Sequence, residues 1–336
     1  MSEMKIAVVG AGSWGSALAL AVSRAEHEVL LWAHDPEVAR QIAETRSNPV
    51  YLPTARFNDL VSFTNDLAEV ARFSDMVMMV TPSHYYREVL GQLRAHLTEP
   101  IRVISGTKGI ENETLSRISE VSASVLGEGL TDFAVLSGPT FAAEVSLEHP
   151  TTAVIASENE AFASLVQHEL SYEAFRLYRS DDVVGVELGG SLKNVIAIAS
   201  GVIDGLGYGL NTTAALVTRG LHEVRRLGVN LGGRPETFAG LAGMGDLLLT
   251  CTGNLSRNRS VGVQLGQGKT LQQILHEARY VAEGVKTSKS AKELADRHDT
   301  EMPIVDAMYE MLYEGASPQD CLNRLMTRSL KAETEG

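Results

Sequence analysis

Cysteine is almost missing from this chain of 336 residues: Cys251 and Cys321 stand alone and far apart. Two isolated thiols exclude a disulfide framework and point to a reducing compartment. No Cys/His spacing suggests a bound metal, so none is expected. Positive charge is also scarce. Lys and Arg number 29 against 42 Asp and Glu, a formal net charge of −13. That balance argues against nucleic-acid partners, which need a positive field, but leaves room for a phosphate held by a locally basic site. No stretch is expected to approach the ~20 apolar residues of a membrane helix. After Lys5 the first apolar run meets glycines almost at once, unlike a signal peptide. These absences lead to the expectation of a cytoplasmic protein without membrane insertion. They leave the oligomeric state open, a homodimer included.

What is present is ordinary for a globular protein: 44% apolar and 21% charged residues, in a chain long enough for two domains with large cores. Short apolar runs alternate with amphipathic segments through the first half. Ile6–Val9, Glu28–Trp32, Met76–Val80, Arg102–Ile104 and Phe133–Leu136 read as buried strands, with Ala153–Ile155 and Phe175–Tyr178 extending the set. Strands alternating with helices imply a parallel sheet covered on both faces. Beyond about residue 185 the strand signals fade and helical periodicity takes over. From Pro303 to Glu314, Ile304, Ala307, Met308, Met311 and Leu312 share one helical face, with Gly315 as the stop.

Gly10-Ala11-Gly12-Ser13-Trp14-Gly15 fits G-x-G-x-x-G. The pattern alone is weak, but here it follows a strand and opens a helix from about Trp14 to Arg24, which makes it a dinucleotide-binding signature. Gly10 permits the tight turn, Gly12 lets backbone approach a pyrophosphate, and Gly15 lets helix pack on strand. The helix N-terminus then offers unpaired N–H groups to the phosphates. The fold class expected is α/β: an N-terminal Rossmann-type parallel-sheet domain over residues 1–187 and an all-helical substrate domain over residues 188–336. NAD or NADP is the expected cofactor.

Four polar clusters interrupt apolar sequence: Gly106-Thr107-Lys108-Gly109, Ser137-Gly138-Pro139-Thr140, Gly189-Gly190-Ser191-Leu192-Lys193-Asn194, and Gly243-Met244-Gly245-Asp246 leading on to Ser256-Arg257-Asn258-Arg259. The first two follow strands, where a doubly wound sheet places its ligand crevice. A solvated surface is the default place for a lysine, yet Lys193 sits between Leu192 and Val195-Ile196-Ala197, where charge needs a reason. Asp246 can equally be read as a helix cap. Arginine beside free N–H groups at a helix start suits a phosphate ester as well as solvent. Cys251, with no histidine near it in sequence, reads as a packed small residue.

These motifs together resemble the bacterial NAD(P)-dependent glycerol-3-phosphate dehydrogenases, and the likeness runs through nearly the whole chain, as far as Val281-Ala282-Glu283-Gly284. The resemblance implies a site between a Rossmann domain and a helical domain, and reversible hydride transfer between NAD(P)H and dihydroxyacetone phosphate, giving sn-glycerol 3-phosphate for phospholipid synthesis. It implies Lys193 as proton donor and acceptor, with Asp246 beside it. Lys108, Gly138, Thr140, Lys193, Asp246, Ser256, Arg257 and Asn258 would contact substrate. Gly10, Gly12, Ser13, Trp14, Gly15, His34, Lys108, Ala142, Arg257, Val281 and Glu283 would lie along the cofactor.

Two rivals are a related 3-hydroxyacid dehydrogenase, which would need a carboxylate anchor rather than Ser256-Arg257-Asn258, and a non-catalytic nicotinamide sensor, which would not need Lys193 and Asp246. Cofactor choice turns on the end of the second strand. NAD-selective folds place an acidic residue there. Here Ala33 takes that position, Asp35 lies just beyond it, and His34 stands where the family often faces the 2′-phosphate of NADP. Use of both cofactors with a modest lean to NADPH is expected.

Overall fold

Strands that are apolar on both faces must be covered on both sides. A computed structural model describes residues 4–277 and 282–333. The chain divides into two compact units: residues 1–108 with 116–186, and residues 109–115 with 187–336.

The first unit carries one sheet. Its strands are β1 (Lys5–Val9), β2 (Glu28–Trp32), β3 (Val61–Thr64), β4 (Met76–Met79), β5 (Ile101–Ser105), β6 (Leu130–Ser137), β7 (Thr151–Ala156) and β8 (Phe175–Ser180). They lie in the order β3-β2-β1-β4-β5-β6-β7-β8. Connecting helices are α1 (Ser13–Arg24), α2 (Pro36–Thr45), α3 (Leu67–Phe73), α4 (Ser83–Arg94), α5 (Ile118–Leu126), α6 (Ala142–Ser146) and α7 (Glu160–Leu170). Along β1, Ile6 and Val8 enter one core with residues of α1, α2 and α7. Ala7 and Val9 enter another with residues of α3, α4 and α5. The period of two thus distributes one continuous apolar run between two cores.

Two features depart from a plain parallel reading. The edge strand β3 leaves no apolar run in the sequence, because only Val61 and Thr64 of its four residues are buried. And β7 pairs antiparallel with β6, with β8 parallel to β7. Helix α6, between β6 and β7, packs on α1 instead of returning across the sheet, so β7 starts near the edge where β6 ends.

The chain enters the second unit within α8 (Val183–Gly205); the helices that follow are α9 (Leu210–Asn230), α10 (Pro235–Ala239), α11 (Asp246–Thr252), α12 (Arg257–Gly266), α13 (Leu271–Glu277), α14 (Glu283–Arg297), α15 (Pro303–Tyr309) and α16 (Pro318–Met326). Contrary to the expectation that no stretch is apolar enough, α8 has the length and composition to cross a membrane. Its apolar 18-residue window is wholly buried, however, which is how the core helix of a folded domain passes the same test. The helix expected from Pro303 to Glu314 is α15 continued by a wider π-type turn over Glu310–Glu314, and Gly315 ends it at φ +76°.

Three backbones touch α8 more closely than any side chain allows. A Cβ on Gly189 would stand 2.7 Å from the Ala242 carbonyl oxygen. One on Gly201 would stand 2.0 Å from the Arg259 oxygen, and one on Gly262 of α12 would stand 1.9 Å from the Ile198 oxygen. One on Gly284, at the start of α14, would stand 2.6 Å from the Asn194 oxygen. Asn194 meets Asn258, Ile198 meets Gly262 and Val202 meets Gly266, so α8 and α12 run side by side in the same direction, and the N-termini of α12 and α14 come to the stretch around Asn194.

A buried glutamate ties α9 to α15. Glu223 on α9 accepts the backbone N–H groups of Ile304 (2.9 Å) and Val305 (3.3 Å), capping α15, whose own N-cap Met302 has no such acceptor. Burial pushes its carboxyl up to about 8; the two N–H bonds and Arg226 pull it down, and Asp306 adds to the rise. A raised folded pKa means the native state holds a proton that the unfolded chain releases. The associated stability is full below the ordinary carboxylate range and is lost as pH climbs toward about 8. Denaturant titrations from about pH 5 to about pH 8 should therefore show stability falling in the parent, and Glu223→Gln should shrink that fall by at least ~1 kcal/mol. An equal fall in both proteins would mean that this carboxyl does not titrate in the window.

Candidate active site

In the first unit, β1 delivers the chain into the glycine turn. Gly10 takes φ +123°, and a Cβ there would stand 2.8 Å from the Val80 oxygen. A Cβ on Gly15 would stand 1.7 Å from the Gly10 oxygen, so α1 rests directly on the turn. Gly12 instead has nothing within 4 Å of where its Cβ would be. It is also the N-cap of α1, so the helix begins at Ser13 with clear space beside the Gly12 backbone. A pyrophosphate fits this open face: the backbone can be approached closely, and the helix N-terminus favours negative charge.

At the end of β2, Ala33 is buried. His34 is exposed, with its ring edge-on to Trp32 at 5.8 Å between centroids. The Asp35 carboxylate accepts the Glu37 N–H at 2.8 Å and so caps α2. At the carboxyl ends of β5 and β6, Lys108 Nζ donates to the Gly138 oxygen at 3.2 Å, and the Thr140 hydroxyl donates to the same oxygen at 3.1 Å. Gly138 has no room for a side chain, since its Cβ would stand 3.0 Å from Ala153 Cα. Ala142 begins α6 just beyond. The structure thus gathers Lys108, Gly138 and Thr140 into one cluster.

In the second unit, Lys193 is 6% exposed and Asp246 1%. Lys193 Nζ donates to the Asp246 carboxylate and, at 2.7 Å, to the Thr250 hydroxyl oxygen. Thr250 in turn donates to the Asp246 backbone oxygen at 2.6 Å. Asp246 is therefore no plain cap: the π-type turn Leu241–Gly245, seated on Gly189, aims it at the lysine. A charged pair this deep costs much desolvation, and deleting one partner would strand the other. Thr250 was passed over in the sequence; its only signal is the spacing of four from Asp246, which puts both on one face of α11.

Ser256 is the N-cap of α12 and accepts the Arg259 N–H at 3.2 Å. Arg257, exposed, is the first helical residue. Arg259 points elsewhere, to Asp204 at 2.9 Å and Asn254 at 3.3 Å. Asn258 is buried: its amide donates to Asn194 Oδ1 and its oxygen accepts the Gly284 N–H, both at 2.9 Å. One side chain therefore joins α8, α12 and the start of α14, where Glu283 stands as the first residue. Asn194 was quoted in the sequence without a role. Val281 lies outside the described residues. The Cys251 thiol is pushed up to about 12 by burial, which makes it inert. Among the described residues no cluster of three His, Cys, Asp or Glu could hold a metal ion.

Known proteins resemble this chain over nearly all of its length. The family model described as NAD-dependent glycerol-3-phosphate dehydrogenase N-terminus matches residues 5–163, and that of the C-terminus matches residues 182–323. A relative from Citrifermentans bemidjiense, named glycerol-3-phosphate dehydrogenase NAD(P)+, is 53% identical over 98% of both chains. One of the same name from Syntrophotalea carbinolica is 52% identical over 99% of this chain and 100% of its own. The crystal structure of glycerol-3-phosphate dehydrogenase from Coxiella burnetii superposes with a TM-score of 0.93 at 38% identity, covering 97% of this chain and 99% of that one. The chain belongs to the NAD-dependent glycerol-3-phosphate dehydrogenase family.

Proposed function

We propose that this enzyme interconverts dihydroxyacetone phosphate and sn-glycerol 3-phosphate, with residues 1–187 holding the dinucleotide and residues 188–336 holding the substrate. The observation that carries the reading is a buried lysine, tied to Asp246 and Thr250, in the same helical unit as an arginine-bearing helix N-terminus. A proton donor and a phosphate anchor are what a phosphorylated ketone requires, and no carboxylate anchor is called for.

The bound reduced nicotinamide would supply hydride to the ketone carbon. The protein's part is proton transfer and alignment. Lys193 Nζ gives a proton to the ketone oxygen as charge grows there, and takes it back from the alcohol in reverse. Asp246 and Thr250 hold the ammonium in one orientation, so no reorganisation is needed when the proton moves. Arg257 and the first N–H groups of α12 hold the phosphate and convert remote binding energy into alignment of the carbonyl. Ser256 and Asn258 serve this anchor through their backbone, since their side chains cap α12 and bridge to Asn194 and Gly284. Lys108, Gly138 and Thr140 complete the substrate contacts. Gly10, Gly12, Ser13, Trp14, Gly15, His34, Lys108, Ala142, Arg257, Val281 and Glu283 are assigned to the cofactor. The two thiols, free and buried, support a reducing, cytoplasmic setting. The product is the phosphate ester on which glycerophospholipids are built, which is the supply role assigned to the enzyme.

Three measurements test these assignments. Lys193→Ala should lower kcat by at least ~100-fold while NADH affinity stays near the parent's, the scale of a lost general acid; near-parental turnover would remove Lys193 from its role. Arg257→Ala should cost on the order of 3 kcal/mol in kcat/KM for dihydroxyacetone phosphate and far less for unphosphorylated dihydroxyacetone. Equal losses on both substrates would show that the arginine does not read the phosphate. On cofactor choice, with Asp35 occupied as a helix cap, both cofactors should work, with a modest lean to NADPH. His34→Ala should weaken NADPH more than NADH, and His34→Asp should reverse the lean; a parent strongly selective for NADH would assign the ribose to Asp35.

A further inference from the structure

The glycine turn is supported by a residue distant in sequence. Asn48 follows α2 and is completely buried. Its side-chain amide donates to the Ala11 carbonyl at 2.8 Å and to the Ser16 hydroxyl at 2.9 Å. Its side-chain oxygen accepts the Tyr51 N–H at 3.1 Å. The loop around it is fastened from both sides: Leu52 N–H bonds the Asn48 carbonyl at 2.9 Å, Phe57 N–H bonds the Arg46 carbonyl at 2.9 Å, and Leu52, Ala55 and Phe57 are in the core. A rigid loop thus carries one buried amide to one carbonyl of the turn.

That carbonyl has a particular place. The first internal bond of α1 runs from Ser16 N–H to the Gly12 oxygen, so Ala11 lies one residue ahead of the helix's own acceptors. It is also flanked by Gly10 and Gly12, the residue type that restrains backbone least. Across a trans peptide the carbonyl and the following N–H point in opposite directions. A donor that holds the Ala11 oxygen inward therefore holds the Gly12 N–H outward, on the open side described above. The second bond, to Ser16 in the first turn of α1, keeps turn and helix in one register.

We propose that Asn48 is a positioning residue for dinucleotide binding: it sets the Ala11–Gly12 peptide so that the N–H groups at the start of α1 face a pyrophosphate. It touches no ligand itself. The inference rests on the dinucleotide reading of the glycine turn, and its consequence falls on ligands that carry a pyrophosphate. Asn48→Ala should raise the Kd for NADH and for ADP by about tenfold, the effect of losing one to two buried hydrogen bonds. The KM for dihydroxyacetone phosphate, and kcat at saturating NADH, should stay within about twofold of the parent.

Asn48→Asp distinguishes positioning from mere loop anchoring. The shape and the acceptor for Tyr51 N–H are kept, and at about pH 9, above the range to which burial raises a carboxyl, a carboxylate oxygen faces the Ala11 carbonyl in place of a donor. Its Kd for ADP, measured by calorimetry, should rise at least as far as that of Asn48→Ala. This variant also decides the matter if Asn48→Ala does not fold. Parental ADP affinity in either folded variant overturns the role of Asn48, as does an equal rise in the KM for dihydroxyacetone phosphate. A parent protein that binds neither NADH nor ADP would instead overturn the dinucleotide reading beneath it.

Discussion

The helical unit depends on how closely backbones approach α8. Between Gly189 and Gly201 this helix meets the turn before α11, the N-terminus of α14 and the side of α12 at distances only glycine permits. Lys193 and Asn194 lie inside that stretch. Ordinary helix contacts are spaced by side chains at 8–10 Å between axes; here that spacing is given up locally. The lysine consequently finds a carboxylate and a hydroxyl from α11 within bonding distance, although the helix that carries it is otherwise largely apolar.

Close approach also makes the charge tolerable. A lone buried ammonium would shed its proton or unfold its surroundings. Paired with Asp246 and bonded to Thr250, Lys193 is held in one place despite its burial. Such a pair contributes little net stability, because desolvation offsets most of the attraction; the proton transfer proposed for Lys193 gives it another use. The same close packing governs Asn258, whose side chain joins α8, α12 and the start of α14. Glu223 is a buried carboxyl of another kind, whose partners are backbone N–H groups of α15.

The sheet unit follows a related logic with different means. Its strands need only bury two faces, and continuous apolar runs achieve that. The turn after β1 needs conformational freedom at Gly10, bare contact at Gly15 and open space at Gly12. Freedom alone does not make a binding site, since a flexible turn would pay entropy on meeting its ligand. Asn48 removes that freedom from outside, after the glycines have allowed the geometry.

Legible in the residues alone were the strands with long apolar runs, the glycine turn after the first of them, the change to helices near residue 185, and the oddity of a lysine at position 193. Each of these is written in local periodicity or in a residue type that suits only one backbone. The sequence did not reveal β3, because a short, half-exposed edge strand carries little apolar signal. Nor did it reveal the reversal of β7, which depends on α6 packing against α1. The family likeness put Asp246 beside Lys193, but residues alone left the aspartate balanced between cap and partner. The bonds of Thr250, Asn194 and Asn48 were settled only in three dimensions, because their partners lie far away along the chain or on a neighbouring helical turn. Periodicity states which face of an element is buried; which polar groups then meet is decided by how near two backbones can come.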